Sequence, residues 1–232
     1  MTLMCVAIDV LHVLDLGISA HVLGNIFYIV CEKRRGGNRA ARVARLGEEI
    51  EEWHRSRGLK SGLRGKLTEA RLKSASGFAK LKAKGASVRS LMAFALDLAR
   101  RESLNERIIG LISYLAEFYQ IMNSQGIFLD ESAVERMQFI VHMFCNLYTD
   151  LSADAFREGS PTWKATPKLH LFLHLGEWQI ASLRLNPKSF WCYADEDPVG
   201  QLVEIGTACH PATVSEIGLL KWLLLALGLH HE

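Results

Sequence analysis

Apolar residues recur at helical spacing over most of this 232-residue chain. Leu11, Leu14 and Ile18 begin one such series, which predicts a helix as far as about Cys31. The same spacing predicts four further helices: Ser87–Arg101, Leu104–Gln125, Asp130–Ala155 with Asp130 as N-cap, and Thr213–His230. Alternating runs of β-branched residues are scarce. We therefore predict a mainly α-helical protein, a multi-helix bundle with at most a few short β-strands near the termini.

Four other segments have less regular patterns. Met4–Ile8 is a short apolar run that predicts a buried strand, whereas Leu169–Leu175 is apolar at nearly every position and fits a strand or a buried helix. Residues 34–58 predict one helix interrupted by glycine. A further helix is expected to begin at Asp197-Pro198, with aspartate as the cap and proline in the first turn.

Positive charge is concentrated in the middle of the chain. Residues 33–101 hold 19 lysines and arginines but only 6 acidic residues, while the rest of the chain holds 8 and 19. This segregation is typical either of a surface that binds a polyanion or of two parts of a protein that neutralise each other. The first alternative predicts weak, sequence-independent binding of DNA phosphates. Its expected contacts are Arg34, Arg35, Arg39, Arg42 and Arg45.

Cysteine usage and hydropathy indicate a protein of a reducing, intracellular compartment. The five cysteines form no close pair, and an odd number does not favour a disulfide framework. Leu3–Val30 is apolar but contains Asp9, Asp15, His21 and Asn25, which a lipid-facing helix would not tolerate. Ile217–Leu229 is too short to cross a bilayer and contains Lys221. We therefore predict buried helices and no membrane partner.

Charged and histidine side chains interrupt the first apolar series. Asp9 precedes it and is either a helix N-cap or a metal ligand, because a buried carboxylate needs a partner. His12, one turn later, is either a half-buried structural histidine or a functional one. His170 and His174 are four residues apart, a spacing that zinc-binding pairs share, although the sequence shows no third ligand nearby.

Three short motifs together resemble part of a known family. Asp9 and His12 form a D-x-x-H pattern, "PKLHLFLHL" begins at Pro167, and Glu196 stands four residues before Gly200. This order resembles the later part of a DDE/D transposase with an RNase H-like catalytic domain, of the CACTA-like and hAT-like groups. The resemblance implies that residues 1–31 and 165–232 are a remnant of that domain and that residues 32–164 are its basic, all-helical insertion.

The resemblance also implies a site and a function. Asp9, His12 and Glu196 would be catalytic, with Asp9 and Glu196 as ligands of Mg²⁺ in a two-metal phosphoryl-transfer site. The family has a further aspartate on an earlier strand, and only eight residues precede Asp9. We therefore expect an inactive, transposase-derived fragment that binds DNA weakly, with a nuclear location as one expectation. Met4–Leu16 should pack beside Leu169–Ile205. The alternative is a helical scaffold that binds protein or nucleic acid and has no transposase ancestry.

Overall fold

A computed structural model describes residues 7–59, 63–193 and 203–226 of the chain. These residues are mainly helical, which confirms the predicted fold class. Two compact units are present, Met1–Phe190 and Trp191–Glu232. The helices are α1 (a π-helical segment, Leu11–Ile18, followed by Ser19–Lys33), α2 (Arg39–Ser56), α3 (Gly85–Ser90), α4 (Met92–Arg101), α5 (Glu106–Ser124), α6 (Glu131–Arg157), α7 (Pro167–His174), α8 (Ala181–Leu183), α9 (203–207) and α10 (Val214–Ala226). A second π-helical segment, Leu175–Ile180, joins α7 to α8.

The first helix is the centre of the first unit. Val22, Leu23 and Ile26 are fully buried, and α2, α3, α4 and α5 all contact α1. Leu11–Lys33 is apolar and long enough to cross a membrane, with a mean hydropathy of 1.6, but 83% of its most apolar window is buried inside the protein. This degree of burial is typical of the core helix of a soluble protein.

Aromatic packing fixes α7 against α5 and α6. The Phe172 ring lies 5.2 Å from the ring of Phe118 and 5.5 Å from that of Phe144, both in edge-to-face geometry. Phe172 is fully buried, whereas His170 and His174 are exposed. The apolar segment that fits either a strand or a helix is therefore a helix with one buried face.

Two predictions about where helices are interrupted are wrong. Gly47 does not interrupt α2. Its lack of a side chain instead allows a close contact, since a Cβ there would lie 3.1 Å from the Leu67 Cβ. The expected helix at Ser87–Arg101 is two helices, α3 and α4, which meet at Leu91. The caps are better predicted, since Asp130 accepts the Ala133 N–H at 2.8 Å as expected.

Extended pairing is limited, within the described ranges, to two isolated antiparallel bridges. They join Lys73 to Ala79 and Phe128 to Leu185, in the middle of the chain rather than near its termini, where short strands were expected. Residues 7 and 8, at the end of the expected first strand, are not in a strand. The rest of that strand and the start of the helix at Asp197-Pro198 lie outside the described residues.

Candidate nucleic-acid interface

Asp9 is the N-terminal cap of the first helix. Its Oδ1 accepts the Leu11 N–H at 3.1 Å, its Oδ2 accepts the His12 N–H at 3.0 Å, and Oδ2 also bonds to Nδ1 of the His12 ring. The first amides of a helix have no partner inside it, and a carboxylate in this position satisfies them. The geometry therefore matches the capping alternative for Asp9. The spacing of three residues brings both the backbone N–H and the ring of His12 to the Asp9 carboxylate.

The described part of the chain does not by itself provide a Mg²⁺ site. No group of three histidine, cysteine or acidic side chains converges within the described residues. Glu196, the expected second ligand, lies outside these residues. The catalytic set of Asp9, His12 and Glu196 therefore stays a prediction, and Asp9 and His12 are the members whose contact the structure shows.

The second aspartate of the opening series has a different environment. Asp15 is fully buried, and its carboxylate accepts hydrogen bonds from Arg89 Nη2, at 2.5 Å, and from the Tyr119 hydroxyl. Ser19 Oγ lies 2.8 Å from the Tyr119 oxygen and donates to it, since the tyrosine hydrogen points to Asp15. Burial and then the Asp15 charge raise the pKa of Tyr119 well above its ordinary value. This network joins α1, α3 and α5 through charge-assisted hydrogen bonds.

Three of the five arginines predicted to contact DNA lie within 4.0 Å of carboxylates of the protein itself, and Arg34 has the closest contacts. Arg34 forms a two-bonded pair with Glu49, at 2.5 and 2.9 Å, and also bonds to Glu102 at 2.6 Å. Hydrogen bonding to Glu49 is the main cause that raises the pKa of Arg34. Because this cluster joins the end of α1 to α2 and α4, Arg34 stabilises the fold, and its guanidinium is occupied by carboxylates rather than available to a phosphate.

The other four predicted arginines differ in their exposure and contacts. Arg39 Nε and Arg42 Nη2 lie 3.5 and 3.9 Å from the Glu32 carboxylate. Arg35 and Arg45 are exposed, and Arg45 donates to a backbone carbonyl in the loop before α2. For Arg34, Arg39 and Arg42, the alternative in which opposite charges neutralise each other is the one the structure favours.

A lysine-rich hairpin lies against the first helix. Residues 71–82 double back on themselves as a hairpin with one antiparallel bridge, between Lys73 and Ala79. Lys80 N–H donates to the Leu72 carbonyl at 3.1 Å and Lys82 N–H donates to the Arg71 carbonyl at 2.7 Å. Leu81 N–H donates to the Ala20 carbonyl of α1 at 2.8 Å. The hairpin fits because α1 has a glycine beneath it: a Cβ at Gly24 would lie 2.4 Å from Lys80 Cα.

Six lysines on and beside this hairpin form what we call the lysine surface. In the described parts of the chain, no carboxylate oxygen lies within 4.0 Å of any of their amino groups. Burial lowers the pKa of Lys80 and Lys168; the charge of Lys168 adds to the effect at Lys80, whereas the charge of Asp9 opposes it at Lys168. A concavity of about 320 Å³ lies beside Lys80 and Lys82. The members of the surface are Lys73, Lys80, Lys82, Lys84, Lys164 and Lys168.

A neutral histidine lies beneath these lysines. His21 of α1 is 8% exposed, and its Nδ1 lies 3.2 Å from the Ala79 carbonyl of the hairpin. Burial first, and then the charge of Lys80, lowers the pKa of His21 to about 4, and Lys164 and Lys168 act in the same direction. The positive charges of the hairpin, of Lys164 before α7 and of Lys168 in its first turn therefore all act on this one buried histidine.

The lysine surface was missed among the residues predicted to bind DNA, although the sequence carries a signal for it. In "AKLKAK", which begins at Ala79, lysines alternate with apolar residues, and Ala79 and Leu81 are buried while Lys82 and Lys84 are exposed. That alternation is typical of an extended segment with one buried face. The expected packing of Met4–Leu16 beside Leu169–Ile205 is present among the described residues, since Ile8 N–H donates to Gln179 Oε1 at 2.8 Å. Lys168 Nζ, just before that range, donates to the His12 carbonyl at 2.6 Å.

Comparisons with protein-family models, with curated proteins and with solved structures found no match to this chain.

Proposed function

We propose that this chain is a transposase-derived helical module that binds the phosphate backbone of DNA through the lysine surface and does not cut it. The observation that carries the proposal is the set of six lysines without a carboxylate partner in the described residues, beside arginines that are paired. Side chains that neutralise phosphates release counterions and bind with little regard to base sequence.

The environment of the lysines supports an anionic ligand. Lys80 and Lys168 are partly buried and close enough for the charge of Lys168 to lower the pKa of Lys80. A phosphate placed beside both would reduce this repulsion and favour their charged forms. The hairpin is also anchored on a core helix, which holds the ammonium groups in place before a ligand arrives.

The transposase origin is supported by the placement of its motifs. Asp9 and His12 are in direct contact, and the first turn of α7 reaches the same end of α1 through Lys168. The Asp9 carboxylate already accepts two backbone N–H groups, so its oxygens cap α1. This supports the part of the proposal in which the chain does not cut DNA. A protein that binds DNA in this way would act in a compartment such as the nucleus.

The test is a salt titration of DNA affinity. Fluorescence anisotropy with two labelled duplexes of unrelated sequence should give equal dissociation constants at each salt concentration. If all six lysines contact phosphates, the logarithm of the association constant should fall against the logarithm of salt concentration with a slope of about −5. An affinity that does not change with salt, or a strong preference for one duplex, would contradict the proposal.

Two double variants then locate the interface. Lys73→Gln with Lys82→Gln removes two exposed charges from the lysine surface and should make the slope less negative by about 2. Arg35→Gln with Arg45→Gln is the matched control, because it removes two exposed charges from the arginine set. If the arginine variant loses more affinity than the lysine variant, the binding surface is the one predicted from the sequence.

Catalysis is tested separately, with supercoiled DNA in Mg²⁺ or Mn²⁺. We expect no nicking by the purified chain. Metal-dependent nicking that Asp9→Ala and Glu196→Ala both abolish would show an active nuclease site and would overturn the non-catalytic part of the proposal.

A further inference from the structure

Two histidines of α7 face each other on the protein surface. The Nε2 atoms of His170 and His174 are 2.9 Å apart, their rings are 4.2 Å apart between centroids, and both side chains are exposed. Their spacing of four residues places them one turn apart on one side of the helix. Buried Phe172 and the aromatic packing around it fix the helix that presents them.

The separation of the two nitrogens matches that of neighbouring ligands on one metal ion. Imidazole nitrogens bind divalent transition metals at about 2.0–2.1 Å, so two of them at right angles about the ion lie about 3 Å apart. A tetrahedral ion needs them somewhat further apart. The observed 2.9 Å is the length of a hydrogen bond in which one ring donates its Nε2–H to the other, and it places both nitrogens within reach of one ion.

The side chains around the pair limit the site to two protein ligands. His142 of α6 lies near the pair, but its Nε2 is 3.8 Å from a Glu177 oxygen, and no third ligand converges on the pair within the described residues. Cys145 lines the same groove as His170. Burial raises the pKa of the Cys145 thiol to about 12, and its Sγ donates to the Leu169 carbonyl at 3.9 Å, so in the metal-free protein this thiol is protonated and engaged with the backbone.

We propose that His170 and His174 form a surface site for a divalent transition metal, with Cu²⁺ preferred to Ni²⁺ and Zn²⁺. The preference follows the general affinity order of these ions for nitrogen ligands. Water completes the coordination. On binding, the ring that carries hydrogen on Nε2 shifts it to Nδ1, and both Nε2 lone pairs point at the ion. The site does not depend on DNA binding.

The experiment is a Cu²⁺ titration of the full chain near neutral pH, followed by calorimetry and by electron paramagnetic resonance. All proteins in the series carry His230→Asn and His231→Asn, because these adjacent histidines lie outside the described residues and could bind the ion themselves. We expect one strong equivalent of Cu²⁺ with two nitrogen ligands from imidazole. His170→Asn and His174→Asn should each weaken it by about 100-fold, since each removes one arm of a chelate.

His142→Asn is the matched control, because it removes a nearby exposed histidine and should leave the affinity unchanged. Circular dichroism establishes that each variant keeps its helices. An unchanged affinity in His170→Asn or His174→Asn, or an equal loss in His142→Asn, would overturn the assignment. A spectrum that shows a single imidazole nitrogen would also overturn it.

Discussion

Asp9 and Asp15 are six residues apart in sequence, and the structure uses their carboxylates in opposite ways. Asp9 is near the surface and binds the first amides of α1, which a sequence alone can predict because aspartate often precedes an apolar helical series. Asp15 is fully buried, and its partners Arg89 and Tyr119 are 74 and 104 residues away. No local pattern identifies such partners, so the sequence raised the question of Asp15 without answering it.

The capping role of Asp9 predicts how two substitutions differ. Asp9→Ala should lower the free energy of unfolding by about 1 kcal/mol, because the first amides of α1 lose their acceptor. Asp9→Ser keeps an oxygen acceptor and should stay within a few tenths of a kcal/mol of the wild type. Urea denaturation followed by circular dichroism measures both. Equal losses in the two variants would mean that the full carboxylate is needed, as for a charged partner.

The buried His21 predicts a loss of stability in mild acid. Its pKa is about 4 in the folded protein and about 6.5 in an unfolded chain, so below pH 6.5 the unfolded state binds a proton that the folded state does not. Stability is therefore full above this pH and should fall by about 2 kcal/mol between pH 6.5 and pH 5.

Chemical denaturation at a series of pH values measures this loss. His21→Gln should remove that part of the pH dependence, whatever its effect on overall stability, while the contributions of the other histidines remain in both proteins. A variant whose stability falls as steeply with acid as that of the wild type would contradict the assignment.

At the scale of elements, helices could be predicted better than the contacts between them. The apolar spacing located α5 and α6 closely, because one face of each packs into the core. The 71–82 hairpin could not be predicted in the same way, since its backbone hydrogen bonds reach Ala20 of α1 and Pro161 after α6, far away in sequence. The glycine interruption predicted within residues 34–58 is absent at Gly47, which instead allows close packing against Leu67, a contact that the local pattern does not show.

The contact between α1 and the hairpin predicts a large effect of one methyl group. In Gly24→Ala the new Cβ meets the Lys80 backbone at 2.4–2.6 Å, and backbone atoms cannot rotate away as a side chain can. We expect a loss of about 1–3 kcal/mol in unfolding free energy. Because the lysines move with the hairpin, DNA affinity should fall as well.

Gly110→Ala provides the matched control. It is also a glycine inside a helix, but its Cβ would meet Leu147 Cδ1 at 3.5 Å, an ordinary contact. Without a clash, alanine should stabilise the helix by up to about 1 kcal/mol. Thermal unfolding of the two variants should therefore shift in opposite directions, and shifts of the same sign would contradict this account of Gly24.

At the scale of the whole molecule, the net charge of +2 does not distinguish basic side chains that are paired with carboxylates from those that are not. Several arginines of the basic segment are held by carboxylates, and the partner can be as distant as Glu102 is from Arg34. The lysine surface has no such partners within the described residues. The sequence could establish the charge segregation but not which cations are neutralised, because that depends on which acidic residues folding brings close. DNA binding therefore remains a prediction, now assigned to different residues.

The π-helical segment Leu11–Ile18 changes how this chain should be compared with others. A π-helix closes its hydrogen bonds over one more residue than an α-helix, so the residues before it are out of phase with Ser19–Lys33. Deleting one residue here would allow a regular α-helix, and because the wider turns of the π-helix hold about one extra residue, Asp9 should keep roughly its present orientation. The deletion would preserve both the hydrophobic character of the segment and the capping position of Asp9. Homologues that differ by one residue at this point should therefore be aligned with a gap inside the helix.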